Sequence, residues 1–515
     1  MPQARLASAR FASFLTAQFL GAANDNAFKM ALTLFVLATV VGERAQLRFN
    51  GFATFLFPLP FLMLSPLAGW LADRYSKDRM VGATKAPEIL AMALAIVAFA
   101  MGSLPMLLGV LFLMAAQSAF FSPAKYGLLP EAFAHEKLSM ANGILNMTTN
   151  VAILVGSVAG VALFARFRDE PVRIGQALLA TAVLGTLAAL YVPRTPPGNR
   201  GAAFEWNPLR ASLDNWRLVR DQPALVHTLV GIAYFSFLGS AFLTVIPVYG
   251  KNMLGLGETG AGTMLMILSV GIAVGSVVAG RLSHGRVEIG LVPLGSIGLT
   301  VFSVGLALVS PAETPGPGGL PWSATLLLSA LGLSAGLYIV PLNALLQQRS
   351  PEGTKGRLIA FSNVLSFSAV MLAAVLSLAL GAIHGVNTRH VVLVLAALTL
   401  GATVYILTLL PNFLVRLVLY LLTNTFYRIE VHGDENIPRG GALFVANHVS
   451  WVDALLVGAA SDRMIRFLMF RGYYEVRPLT WLFKKMGVIP IARGDTEEQK
   501  RASLSTARAQ IEAGH

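Results

Sequence analysis

The sequence predicts an all-α membrane protein of twelve spanning helices, followed by a small α/β domain. Three observations carry that expectation. Hydrophobic residues make up 55% of the 515 positions and charged residues 13%, about half the charged share of a soluble globular chain. Mean hydropathy is +0.66, so most side chains face lipid or one another. Roughly twelve apolar runs of about 20 residues, the length that spans a bilayer, precede residue 412. Beyond it the pattern changes to short strand-like and amphipathic pieces. The absence of cysteine excludes a disulfide-stapled protein. The net charge of +13 in isolation suits nucleic acid. Here the basic residues are spread over loops rather than gathered in a patch, so no nucleic-acid partner is expected and membrane lipids supply the counter-charge.

The first six apolar runs cover about 11–40, 49–72, 80–103, 106–128, 138–165 and 174–192, and the second six about 225–249, 260–282, 289–309, 321–346, 358–383 and 391–411. The first is too long, and too polar at Asn24, Asp25 and Asn26, to be a cleaved secretory signal. A polar stretch over 193–222, with an amphipathic piece near 206–219, divides the spans six plus six. With loops assigned alternately, about 18 Lys and Arg fall on the N-terminal side and about 7 on the other, which predicts both termini in the cytoplasm. The halves also read as parallel repeats. Gly69-Trp-Leu-Ala-Asp73-Arg74 after the second span parallels Gly280-Arg-Leu-Ser-His-Gly285 after the eighth, and Ser122-Pro123-Ala-Lys125 parallels Val340-Pro341-Leu-Asn343. Residues 1–412 are accordingly expected to form one domain and 413–515 another.

Asp73, Arg74, Lys77 and Arg79 crowd the short loop after the second span. An acid at a helix end among several cations suits a charge network that clamps neighbouring helices; the plain alternative is a set of basic anchors at the membrane face. The segment Gly69 to Arg79 resembles the signature loop of the major facilitator superfamily, with Ser76 where that family usually has glycine. The resemblance implies two six-helix bundles and a gating role for Gly69, Asp73, Arg74 and Arg79.

The first span carries Asn24, Asp25, Asn26 and Lys29 within an apolar run. An ionisable group at mid-bilayer is costly, by at least ~2.5 kcal/mol on insertion scales, and normally faces a polar cavity. Asp25 and Lys29 lie four residues apart on one face. They either neutralise each other or form a site for a substrate headgroup or coupling ion. Asn142, Asn146 and Asn150 share a face of the fifth span, as cavity lining or as interhelical glue. The segments Phe19 to Ala27 and Phe121 to Glu131, the latter with Pro123, Lys125, Tyr126 and Glu131, resemble the lysophospholipid-transporter branch of the superfamily. That resemblance spans the first ~410 residues and implies inward movement of lysophospholipids such as lyso-phosphatidylethanolamine across a bacterial inner membrane. An efflux carrier of small hydrophobic compounds with a vestigial tail is the alternative.

In the tail, an amphipathic stretch (413–427) and a strand-like piece (429–433) precede a buried-strand pattern at 442–446. Asn447-His448-Val-Ser-Trp-Val-Asp453 follows and leads into a helical run at 454–460. A loop that folds back brings His448 and Asp453 together. Imidazole then removes a proton from an attacking hydroxyl while the carboxylate fixes its tautomer. No serine or cysteine nucleophile signature lies nearby, which favours direct attack on a thioester over an acyl-enzyme. Together with Gly487-Val-Ile-Pro490-Ile-Ala-Arg493-Gly494, this block resembles the glycerolipid acyltransferases that acylate lysophosphatidic acid and lysophospholipids. The resemblance implies His448 and Asp453 as catalytic and Arg493 as phosphate-binding. It also implies an acyl donor on acyl carrier protein or coenzyme A as co-substrate, with no metal and no other cofactor. That family's third block is expected past His515, which makes the tail a truncated α/β acyltransferase domain, inactive as it stands.

Overall fold

The computed structural model describes residues 6–39, 52–53, 55–196, 208–256, 258–283, 287–310, 319–351, 353–382 and 388–409 of the helical part. In the tail it describes 441–447, 449–450, 453, 456–457, 465–485 and 487–512. Two compact units result, residues 1–287 with 295–401 and residues 288–294 with 402–515.

The first half of the helical part comprises α1 (Ala9–Thr39), α2 (Leu59–Arg74), α3 (Lys77–Ala83), α4 (Lys85–Ala100), α5 (Leu104–Ala132), α6 (Leu138–Arg166) and α7 (Val172–Ala189). The amphipathic stretch predicted between the halves is α8 (Pro208–Val219). The second half comprises α9 (Pro223–Met253), α10 (Glu258–Leu282), α11 (Leu291–Ala307), α12 (Trp322–Arg349), α13 (Lys355–Ala382) and α14 (Thr388–Leu409). Among the described residues nine helices are long and apolar enough to cross a membrane, α3 and α4 counting as one over Lys77–Ala100. The other three predicted spans fall on α1, which carries the charges of its mid-section, on α2 with 16 residues and on α11 with 17. Residues 40–51, where the second span was expected to begin, lie outside the described residues.

Two apolar clusters order the first half. One gathers Phe28, Phe35, Phe99, Leu107, Met114 and Leu178; the other gathers Phe11, Phe14, Leu128, Phe133, Leu138 and Leu145. α1, α5 and α7 contribute to both, while Met80 and Val81 of α3 join the second cluster and Ala91 to Phe99 of α4 the first; the polar residues of α1, α4 and α5 fall between these contributions. Small residues let the helices close. Gly156 and Gly160 of α6 leave no room for a Cβ against Ala23 and Ala27 of α1, and Gly275 of α10 leaves none against Leu333 of α12.

The halves touch through equivalent surfaces. A Cβ on Gly69 of α2 would lie 2.7 Å from the Ala360 Cβ and 2.9 Å from the Arg357 Cα of α13, and one on Gly280 of α10 would lie 2.9 Å from the Met140 Cα of α6. Gly69 and Gly280 are the two positions that the sequence aligned as repeats.

In the tail, β1 (Leu468–Phe470) is followed by α15 (Arg471–Tyr474), α16 (Arg477–Lys485), β2 (Ile489–Ile491) and α17 (Glu497–Glu512). β1 and β2 pair in parallel, Leu468 opposite Ile489. Thr496 and Gln499 form a reciprocal cap at the start of α17, with Gln499 N donating to Thr496 Oγ1 (3.2 Å) and Thr496 N to Gln499 Oε1 (3.0 Å). The described tail is therefore largely helical, with less sheet than the α/β expectation. The buried strand expected at 442–446 is not one: Leu443, Phe444 and Val445 are exposed and join no ladder among the described residues. A strand is stabilised by its cross-strand partners, and the only described sheet is the β1–β2 pair. The predicted elements at 413–427 and 429–433 lie outside the described residues, as does most of 454–460.

Candidate functional site

The polar layer of the first half is built from adjacent turns of four helices. Asp25 Oδ2 accepts a hydrogen bond from Ser118 Oγ of α5 at 2.7 Å. Lys29 does not pair with it: its Nζ sits 3.3 Å from the centroid of the Phe57 ring, a cation–π contact. Of the two alternatives that the sequence left open, a direct Asp25–Lys29 ion pair is not formed, and each charge meets another segment. Asn26 donates back to the Ala22 carbonyl (2.7 Å), and Asn24 is buried with neither amide atom partnered. Gln18 ties α1 to α6 through Thr148 (3.0 Å) and Thr149 (3.3 Å).

The asparagines of α6 are in different settings. Asn142 forms a reciprocal amide pair with Gln347 of α12, at 2.9 and 3.0 Å, and so joins the two halves. Asn146 is buried with its Nδ2 unpartnered, and Asn150 donates to the Asn146 carbonyl at 2.9 Å.

Sequence reading passed over Lys85 and Glu88 of α4. Both are 1% exposed and form an ion pair of 2.6 Å. Lys85 Nζ also donates to the Ala17 carbonyl at 3.1 Å. Gln117 of α5 reaches Glu88 at 3.5 Å. The available signal was two charges three residues apart inside the third apolar run, the same criterion that singled out Asp25.

The loop after α2 is built differently from a row of solvated anchors. Asp73 is 2% exposed, and its carboxylate accepts from the backbone N–H groups of Gly356 (2.5 Å) and Arg357 (2.9 Å) in the first turn of α13. A carboxylate there satisfies two orphan donors and meets the positive end of the helix dipole. Lys77, also buried, pairs with Glu131 of α5 at 2.9 Å and donates to the Ala72 carbonyl. Lys77 N donates to Thr195 Oγ1 at 2.8 Å, which fixes the segment after α7 onto the start of α3. Arg74 stacks over Trp70 at 5.2 Å, whereas Arg79 is exposed. In the Phe121 to Glu131 segment Pro123 is buried within α5, Lys125 lies 4.7 Å over the Tyr126 ring, and Gly127 packs on the Lys77 side chain. Ser122 accepts from Asn363 of α13 at 2.9 Å. Arg357 Nη2 donates to Asn215 of α8 at 3.0 Å.

In the tail, His448 lies outside the described residues. Asp453 Oδ2 accepts from the backbone N–H groups of Val449 (2.6 Å) and Ser450 (2.8 Å), so its carboxylate folds back over the residues that follow His448. Arg493 is exposed just past β2. Two residues on, Asp495 holds a bidentate contact with Arg471 of α15, Nε to Oδ1 at 2.8 Å and Nη2 to Oδ2 at 3.0 Å, and accepts from Ala492 N at 2.8 Å. The Arg471 hydrogen bonds hold the Asp495 carboxyl below the usual carboxylate range. Neither Arg471 nor Asp495 stood out in the sequence, since their partnership spans 24 residues. Among the described residues no cluster of His, Cys, Asp and Glu is able to hold a metal ion.

The sequence pattern of the Major Facilitator Superfamily matches residues 14–374, from α1 to within α13. The chain belongs to that superfamily. A second pattern, that of the acyltransferase family, matches residues 428–515, so a superfamily transporter domain is fused to an acyltransferase-family domain. Similar proteins include the lysophospholipid transporter LplT of Enterobacter sp. (strain 638), 29% identical over 364 residues, covering 69% of this chain and 85% of the relative. LplT of Serratia proteamaculans (strain 568) is 29% identical over 376 residues, covering 71% and 87%. Among solved structures, a bacterial homologue of the iron transporter ferroportin in an outward-facing state superposes with a TM-score of 0.59 at 19% identity, covering 77% of this chain and 98% of that one. The human organic anion transporter MFSD10 gives 0.63 at 14% identity, covering 77% and 99%. At such identities the likeness concerns the fold alone; the superfamily pattern and the nine candidate spans among the described residues make this a multi-pass membrane protein.

Proposed function

We propose that this chain carries lysophospholipids, lyso-phosphatidylethanolamine among them, from the outer to the inner leaflet of a bacterial inner membrane, and that its C-terminal domain reacylates them. The observation that carries the reading is the polar layer between two apolar clusters of the first half. It offers a carboxylate (Asp25) and an ammonium (Lys29) one turn apart, matched to the ammonium and phosphate of a zwitterionic headgroup. The likeness to LplT proteins over 364 and 376 residues supports the same substrate class. Asn24, Asn26, Asn146 and Asn150 complete the cavity wall in this reading. The helical part acts as twelve spans with both termini cytoplasmic. The Gly69 to Arg79 loop is a cytoplasmic gate, closed when Asp73 caps α13 and opened as the halves rock.

In the tail, His448 takes the proton of the lysolipid's glycerol hydroxyl as that oxygen attacks the thioester of acyl carrier protein or coenzyme A. The ester C–O bond forms, the C–S bond breaks, and the imidazolium returns its proton to the thiolate. Asp453 steadies the imidazolium and Arg493 binds the acceptor's phosphate.

Asp25→Asn should cut uptake of labelled lysophospholipid into spheroplasts at least tenfold at unchanged expression; wild-type uptake in that variant ends the assignment. In a form of the protein extended through the acyltransferase family's third block, His448→Ala should abolish acyl transfer while sparing uptake. Acyl transfer within tenfold of wild type contradicts a general base.

A further inference from the structure

The buried pair on α4 is connected to Asp25. Lys85 Nζ meets Glu88 Oε2 at 2.6 Å, Gln117 Nε2 meets the same oxygen at 3.5 Å, Gln117 Oε1 lies 3.3 Å from Ser118 Oγ, and Ser118 Oγ lies 2.7 Å from Asp25 Oδ2. The ammonium has a prepared place. A Cβ on Gly21 of α1 would stand 3.0 Å from Lys85 Nζ, and one on Gly185 of α7 3.5 Å from it. Burying an ion pair at this depth is expensive and seldom improves stability over apolar packing. Its retention calls for another use.

Donor and acceptor counting supplies one. A carboxylate only accepts, so Glu88 obliges Gln117 to turn its NH2 group toward α4 and its carbonyl oxygen toward Ser118. Ser118 owns a single proton. With the Gln117 carbonyl facing it, that proton has two acceptors, Gln117 Oε1 and Asp25 Oδ2, and the hydrogen bond to Asp25 is shared. Were the amide reversed, its NH2 would donate to Ser118 Oγ and the hydroxyl would serve Asp25 alone.

We propose that Lys85 and Glu88 are positioning residues for Asp25: the pair fixes the sense of the Gln117 amide, and that sense sets how firmly Ser118 holds the Asp25 carboxylate. The charged groups facing this chain of contacts are Lys29 from α1 and Lys85 and Glu88 from α4; α5 contributes only Gln117 and Ser118. The proposal rests on the reading of Asp25 as the headgroup-binding carboxylate, but its geometry is testable without transport.

The experiment is infrared spectroscopy of the full chain in lipid nanodiscs, with the Asp25 carboxylate band assigned by its absence from Asp25→Asn. Ser118→Ala removes the hydrogen bond. Gln117→Leu removes the competing acceptor, and the double variant K85M/E88M frees the amide to reverse. The band is expected to move one way in Ser118→Ala and the opposite way in Gln117→Leu and K85M/E88M, a pattern that mere loosening of the bundle does not produce. An unmoved band, or movement in one direction throughout, overturns the proposal. If K85M/E88M does not fold, Gln117→Leu decides alone. In uptake assays Ser118→Ala should raise the lysolipid KM about tenfold, the scale of a hydrogen bond to a charged group, with kcat within twofold. A wild-type protein that moves no lysolipid defeats the transport reading while the infrared comparison still decides the relay.

Discussion

Asp73 and Asp495 perform the same physical task in different parts of the chain, each using one carboxylate to gather donors that would otherwise be orphaned. Asp73 collects two backbone N–H groups of α13, and Asp495 collects the fork of Arg471 and the N–H of Ala492. For Asp495 the pH dependence has a definite sign. Its carboxyl is held below its ordinary value of 3.8 by the Arg471 hydrogen bonds. The stability it contributes is therefore fully present above about pH 4 and is lost as pH falls through the lower folded value. Asp495→Asn should accelerate amide hydrogen exchange over residues 487–496 at pH 7, and the difference from wild type should shrink once both are compared below the folded value. A gap that persists unchanged in acid contradicts the assignment. Residues of this kind are the least legible in sequence. Asp25 was found because a charge in an apolar run is locally visible. Lys85 and Glu88 met the same test and were overlooked, whereas the Asn142–Gln347 and Arg471–Asp495 pairs depend on chain folding that no local pattern encodes.

At the scale of elements, the apolar runs were readable because lipid imposes length and composition on each helix independently of its neighbours. The amphipathic α8 between the halves was readable for a different reason, the 3.6-residue period of its apolar positions. The tail was harder, since a strand at 442–446 is defined by partners rather than by its own alternation. Helix packing follows from residue size. Gly275 of α10 lies against the Leu333 backbone of α12 with no space for a Cβ, while Gly262 of the same helix has nothing within 4 Å of the equivalent position. Gly275→Val should push α10 from α12 and cost about 1–3 kcal/mol or more, as overpacking of a closed interface does. Gly262→Ala should leave the thermal midpoint in detergent within the error of the measurement. Equal midpoints for the two variants would refute the close-contact reading of this interface.

For the whole helical unit, the repeat read from sequence has a structural counterpart: Gly69 packs on the start of α13 in the second half, and Gly280 packs on the start of α6 in the first. Between these contacts the Asn142–Gln347 amide pair bridges α6 and α12. If the halves rock about a central site, this pair must separate in every cycle, and holding it together must stop transport. The chain has no cysteine of its own, so Asn142→Cys with Gln347→Cys places the only two thiols at this contact. A short bis-methanethiosulfonate reagent should join them and abolish lysophospholipid uptake, and reductant should restore it to the level of the unmodified double variant. Each single variant, treated identically, should keep its activity. Uptake that continues at full rate with the halves joined would mean that the substrate crosses without this contact opening, and the rocking of α6 against α12 would have to be abandoned.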